Sequence, residues 1–159
     1  MYLPNNIEFV LESLHDNGFS VYVVGECVKD YILGKEPSNY EIVTSALPEQ
    51  IKHIFASYYV DDTWTEYGTV TINIDNEQIE ISTYRLNGEY KHCYKTNNVA
   101  FLTNVEDYLM QKDFTANAVA YSPWSGFVDV YGGISDIKNG IMHRIGKKKG
   151  DLDEWWSDY

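Results

Sequence analysis

Apolar residues recur at Ile7, Val10, Leu11 and Leu14, a helical stripe that predicts a helix over residues 6–17. Asn17-Gly18 then ends it as a left-handed glycine does. The period changes at residues 20–24, Ser-Val-Tyr-Val-Val, which are β-branched and aromatic and predict a buried strand. Gly25-Glu26 follows, and Val28, Tyr31, Ile32 and Leu33 predict a short helix closed by Gly34. Residues 35–39 form a Pro-containing loop, residues 40–44 a second strand, and Leu47-Pro48-Glu49-Gln50 opens a helix reaching about Ala56. Residues 68–74 and 78–84 predict two strands joined by a turn at Asp75-Asn76-Glu77. On the second of these, Ile79 and Ile81 face one way and Glu80 and Ser82 the other. Residues 86–98 are polar and predict a mobile loop. Residues 104–110 read as a helix with Asn104 as its N-cap. Residues 116–121 lead into a strand and 127–130 form another, broken by Gly132-Gly133 before a short helix at about 135–138.

Helix, strand, helix, strand, helix and then a run of strands predicts an α/β (α+β) domain. Its sheet should be mixed, mostly antiparallel and flanked by helices. No Walker-type phosphate loop or dinucleotide fingerprint is present. A length of 159 residues suits one domain, and 44 % apolar with 23 % charged residues excludes a disordered chain, a collagen and a disulfide scaffold. No run approaches the ~20 apolar residues that span a bilayer. Met1 to Asn6 has neither a basic nor an apolar signal-peptide region, so a cytoplasmic protein without membrane partners is expected.

Charge changes the picture more. Twelve Lys+Arg stand against 24 Asp+Glu, a net −12, and only Arg85 and Arg144 are arginine. Such a chain binds nucleic acid poorly on its own, because neutralising phosphates needs concentrated positive charge. It fits one part of a larger RNA enzyme whose basic surface lies elsewhere, or a surface charged for solubility. Cys27 and Cys93 are far apart and read as free thiols, and the four histidines show no ligand spacing.

One segment carries chemistry: Val24-Gly25-Glu26-Cys27-Val28-Lys29-Asp30-Tyr31-Ile32-Leu33-Gly34, followed by Asn39-Tyr40-Glu41 at a strand start. Gly68-Thr69-Val70, Ile79 to Arg85, Gln111-Lys112-Asp113-Phe114-Thr115-Ala116-Asn117-Ala118 and Asp129-Val130-Tyr131-Gly132-Gly133 continue the pattern. In order and spacing these resemble the polymerase-β-type nucleotidyltransferase head domain of tRNA CCA-adding enzymes and bacterial poly(A) polymerases. The resemblance covers about residues 8–146. It implies a head domain at 1–146, with 147–159 starting a linker or a truncated helical body.

The resemblance also implies an activity, transfer of nucleotides from an NTP (ATP or CTP) to the 3′ end of an RNA such as tRNA, with Mg²⁺ as cofactor. Mg²⁺ wants oxygen ligands, and two acids at i and i+2 on a strand share one face. A glycine turn at a helix start offers N–H groups to phosphates, and arginines add bidentate contacts. By this correspondence Asn39 and Glu41 are the catalytic and metal-binding positions, with Glu80 as a helper acid or a solvent-facing strand residue. Gly25, Glu26, Lys29, Asp30, Lys112, Asp113 and Asn117 are the nucleotide-binding positions. Asp30 and Asp113 could equally cap helices or make structural salt bridges.

The costly positions depart from the family pattern. Its Asp-x-Asp is Asn39-Tyr40-Glu41, its second turn glycine is Glu26, its Arg-Asp is Lys29-Asp30 and its Arg-Arg is Gln111-Lys112. Lys is a point charge where Arg is a fork. These changes weaken metal and triphosphate binding in the same direction, so weak or absent activity is expected. The alternative is a catalytically lapsed pseudoenzyme that serves as a binding or regulatory module with a protein partner. Lys147 to Lys149 could be a basic edge for RNA or a solvated linker, and Ser157-Asp158 falls about where the family's helical body opens.

Overall fold

The computed structural model describes residues 1–86 and 100–145. The greater part of the polar loop expected at 86–98, Cys93, the lysine run at 147–149 and Ser157-Asp158 lie outside the described residues. Helix α1 (Asn5–Asp16) starts behind Pro4, whose carbonyl accepts from Glu8 N at 2.9 Å, and it buries Ile7, Val10, Leu11 and Leu14. Strand β1 (Val21–Val24) and helix α2 (Glu26–Ile32) meet at Gly25. Gly25 has φ 86° and ψ −143°, a region that glycine occupies freely and other residues do not. Strand β2 (Glu41–Thr44), helix α3 (Pro48–Ile54), and strands β3 (Tyr59–Asp61), β4 (Thr69–Ile74) and β5 (Glu77–Thr83) come next. After these come α4 (Val105–Leu109), β6 (Ala120–Ser122), β7 (Gly126–Val128) and α5 (Gly133–Asn139). Among the described residues there are also single 3-10 turns at Thr65–Tyr67 and Thr115–Asn117.

The seven strands form one sheet in the order β3-β4-β5-β2-β1-β6-β7. Only the pair β2 and β5 is parallel among these neighbours, so the sheet is mixed and mostly antiparallel, as expected. The β4–β5 turn has two residues, Asp75 (φ 52°) and Asn76 (φ 67°), both left-handed as a twisted hairpin demands. It therefore starts β5 at Glu77, inside the turn expected from sequence. Strand β3 is an addition; its three residues are too few to show a pattern. The stretch expected to lead straight into a strand at residue 116 first makes a 3-10 turn, and α5 starts at Gly133 rather than 135. The cause is Asp129, whose carboxylate accepts from Gly133 N at 2.6 Å and Ile134 N at 3.0 Å.

Alternation gives the sheet two different faces. Val21, Val23, Ile42, Val70, Ile72, Ile79 and Ile81 point into the main core, with residues of α1, α2, α3 and α5 packed there. Val24, Val43 and Tyr84 point the other way into a smaller core with Val105 and Leu109 of α4, Ala118, Ala120 and Ile145. The parallel register pairs Ile42 with Ile81 and Val43 with Ser82. Glu41 and Glu80, each one residue earlier, therefore stand on this second, thinly covered face, and both are exposed.

Candidate functional site

Glu41 starts β2 at the edge of that open face, and its carboxylate leans over the β1–α2 turn. A β carbon added at Gly25 would stand 2.7 Å from Glu41 Oε1. Beneath the turn Cys27 is buried, and burial pushes its thiol up to about 11. It is a core residue with no nucleophilic character at neutral pH.

Two clefts meet at Glu41. The larger, about 860 Å³, brings together Asn39, Glu41 and Glu80, the three expected catalytic positions, with Glu26 and Glu77. None of its lining residues is Lys or Arg. Asn6 of α1 donates to Glu77 across it. The smaller, about 280 Å³, joins Glu41 to Thr69, Ser82, Arg85, Gln111 and Lys112, between Tyr67 and Tyr108.

The second cleft is built by backbone ties. Arg85 Nη1 donates to the Tyr67 carbonyl at 3.0 Å, and Gln111 Nε2 donates to the Arg85 carbonyl at 2.9 Å. Lys112 Nζ lies 4.8 Å from the centre of the Tyr108 ring and donates to its hydroxyl at 3.3 Å, a cation over an aromatic face. Thr69 and Ser82 face each other across β4 and β5, their hydroxyl oxygens 3.0 Å apart. Tyr84 supports Tyr108 from below at 5.6 Å; its own hydroxyl, 2.8 Å from Ser20 Oγ, is pushed up by burial.

The remaining expected positions are dispersed. Lys29 Nζ donates to Asn117 Oδ1 at 3.4 Å, tying α2 to the 3-10 turn before β6. Asp30 is half-buried on α2 and Asp113 is exposed, and neither lines either cleft. Behind them lies a buried knot. The Asp136 carboxylate of α5 accepts from the Thr115 hydroxyl and sits 2.9 Å from His143 Nδ1. Burial pushes this carboxyl up, but the Thr115 and His143 hydrogen bonds outweigh it and hold it below the usual value of 3.8.

Thr69, Ser82, Arg85, Tyr67 and Tyr108 are not among the candidates that the sequence singles out. The available signal is Arg85, one of only two arginines, at the end of a strand whose polar side carries Glu80 and Ser82. Asn39, Glu41 and Glu80 offer only oxygen donors, which suit Mg²⁺ held by one or two carboxylates with substrate phosphates completing the shell. Among the described residues no group of three or more His, Cys, Asp or Glu could enclose a metal alone.

An open-faced sheet with an acid at the start of a central strand, beside a glycine turn and a small cationic cleft, has the architecture of a nucleotidyltransferase head. The family profile described as the Poly A polymerase head domain matches residues 21–143, and the chain belongs to that family. The CCA-adding enzyme of Listeria monocytogenes serovar 1/2a (strain ATCC BAA-679 / EGD-e) is 39 % identical over 138 residues, covering 87 % of this chain and 35 % of that protein. That of Lactobacillus helveticus (strain DPC 4571) is 37 % identical over 137 residues, covering 86 % and 34 %. The crystal structure of the Bacillus stearothermophilus CCA-adding enzyme in complex with CTP superposes with a TM-score of 0.78 at 29 % identity, covering 92 % of this chain and 34 % of that one. The chain thus spans about a third of the length of these relatives.

Proposed function

We propose that this chain is the nucleotide-transferring head of an RNA nucleotidyltransferase, adding nucleotides from CTP or ATP to an RNA 3′ end, tRNA first among the acceptors. Residues 1–146 form the head and 147–159 begin a linker or helical body, in a cytoplasmic protein. The single observation that carries the reading is the place of Glu41. It stands where the oxygen donors Asn39 and Glu80 meet the cleft holding Arg85 and Lys112. CTP is the first nucleotide to test because the Bacillus stearothermophilus relative was solved with it.

The residues divide the work by charge. Arg85 and Lys112 attract the triphosphate, and the Thr69 and Ser82 hydroxyls supply further polar contacts for its oxygens. Bound through Glu41 and the Asn39 amide oxygen with Glu80 beside them, Mg²⁺ would polarise the 3′ hydroxyl and clamp the phosphates. Glu41 and Glu80 are the carboxylates placed to accept the proton of the acceptor hydroxyl; their negative charge alone would raise its pKa, and the charge of the bound metal would offset that. Binding is weak for three reasons around the larger cleft. Asn39 is uncharged, the Glu41 carboxylate lies over Gly25, and Glu26 and Glu77 add charge that repels phosphate.

Restoring the family acids tests this. Asn39→Asp with Glu41→Asp adds one charge and withdraws the other carboxylate from Gly25. Each recovered charged contact is worth about 1–3 kcal/mol, so Mg²⁺–CTP should bind roughly tenfold tighter or better. CTP addition to a tRNA lacking its terminal CCA should rise with it. An unchanged affinity in the double variant counts against the reading. A second reading, a lapsed module that binds a protein partner, is favoured by the larger cleft, whose charged lining is wholly acidic. It predicts Mg²⁺–CTP binding in the double variant and none in the natural chain.

A further inference from the structure

The 3-10 turn between β3 and β4 carries two exposed aromatic rings, of which Tyr67 lines the smaller cleft and Trp64 stands beside it in the turn. Trp64 is 58 % exposed and Tyr67 41 % exposed, and their ring centres lie 6.0 Å apart at 44°. The turn under them is firmly tied. Tyr67 N and Thr69 N both donate to the Trp64 carbonyl, at 2.9 and 3.2 Å, and Gly68 N donates to the Thr65 carbonyl at 2.9 Å. Gly68 is left-handed and packs so closely on Phe101 that a β carbon there would stand 2.8 Å from Cε1 of the ring. Tyr67 joins this turn to the cations, because its carbonyl is the one that Arg85 holds.

We infer that Trp64 and Tyr67 form a stacking platform for the unpaired bases of a single-stranded RNA 3′ end, whose backbone runs on to Arg85 and Lys112. This rests on the reading of the chain as a nucleotidyltransferase head and names where its acceptor lies. Exposed rings next to a basic groove are the general solution for binding single strands, because every base has a face to stack and every phosphate a charge to meet. Trp64 does not line the cleft, so a ligand touching both the indole and the cations extends beyond it. That geometry suits a strand and not a mononucleotide. Acids on and before the turn separate the place of the bases from that of the phosphates. Asp61 accepts from Thr63, Asp62 lies 3.7 Å from Lys52, and Glu66 is exposed. They keep phosphates away from the platform, so bases lie on the rings and the backbone follows the cations.

The test measures binding of a fluorescent single-stranded oligocytidylate RNA by anisotropy, with Mg²⁺–CTP titrated calorimetrically into the same proteins. Trp64→Ala should weaken RNA binding by about tenfold or more. Trp64→Phe should retain a large part of it, and Mg²⁺–CTP binding should match the natural chain in both variants. Equal RNA affinity in Trp64→Ala and the natural chain overturns the platform, as does the absence of RNA binding by the natural chain. A Trp64→Ala loss in a chain that does not bind Mg²⁺–CTP sustains the platform and counts against the nucleotidyltransferase reading instead.

Discussion

One methylene separates Glu41 from aspartate, and it carries the carboxylate over Gly25, onto the turn where an incoming phosphate is expected. On the proposed reading, that single side chain would lower the affinity of a site that keeps its family's architecture. Asp136 shows the opposite case, a carboxylate placed for structure. It joins α5 to the turn at Thr115 and to His143, and so steadies Asn117, which accepts from Lys29. Because its folded value lies below 3.8, its stabilisation is complete above that value and is lost as the pH falls through the lower folded one. Asp136→Asn should therefore lower the unfolding free energy at pH 7 by about 1–3 kcal/mol, read as a lower urea midpoint, and the deficit should shrink near pH 3. A deficit equal at both pH values would show that shape rather than charge is responsible. Asn39 and Glu41 were singled out by the family resemblance and Glu80 by its place on the polar side of a strand, and the fold brings all three to one cleft. The Asp136 knot was not legible in the sequence, since Thr115, Asp136 and His143 are brought together only by the packing of α5.

Among the elements, α5 depends most on a single small residue. A β carbon at Gly133 would stand 2.2 Å from the Thr115 carbonyl oxygen and 2.7 Å from Val119 Cγ2. Gly133→Ala should cost about 1–3 kcal/mol through overpacking, measured as a lower urea midpoint with little change in slope. An unchanged midpoint would mean that α5 shifts freely and does not fix the turn beneath it. Long periodic elements such as α1, and the β4–β5 hairpin with its Asp-Asn turn, could be read from pattern because local chemistry decides them. Strand β3 could not. Tyr59, Val60 and Asp61 carry no inward alternation, and pairing with β4 alone makes them a strand. The early start of α5 likewise depends on a carboxylate four residues before it.

At the scale of the whole molecule, charge and topology act together. The sheet puts α1, α2, α3 and α5 behind one face and leaves Glu41 and Glu80 exposed, and with Glu26 and Glu77 they make the larger cleft acidic. Arg85 and Lys112 then become the counterweight, and Lys112 lies beside Glu41 only because α4 folds across the sheet. The family resemblance made the topology legible, but the separation of an acidic cleft, reaching from Glu41 to α1, from a cationic cleft on the open face emerges only from the fold. The most direct test of a weakened nucleotide site is calorimetric titration of CTP and ATP into this chain, with Mg²⁺ and with EDTA. Weak binding that requires Mg²⁺ and disappears in EDTA is the predicted result. Heats that are absent with Mg²⁺, or unchanged by EDTA, would contradict it.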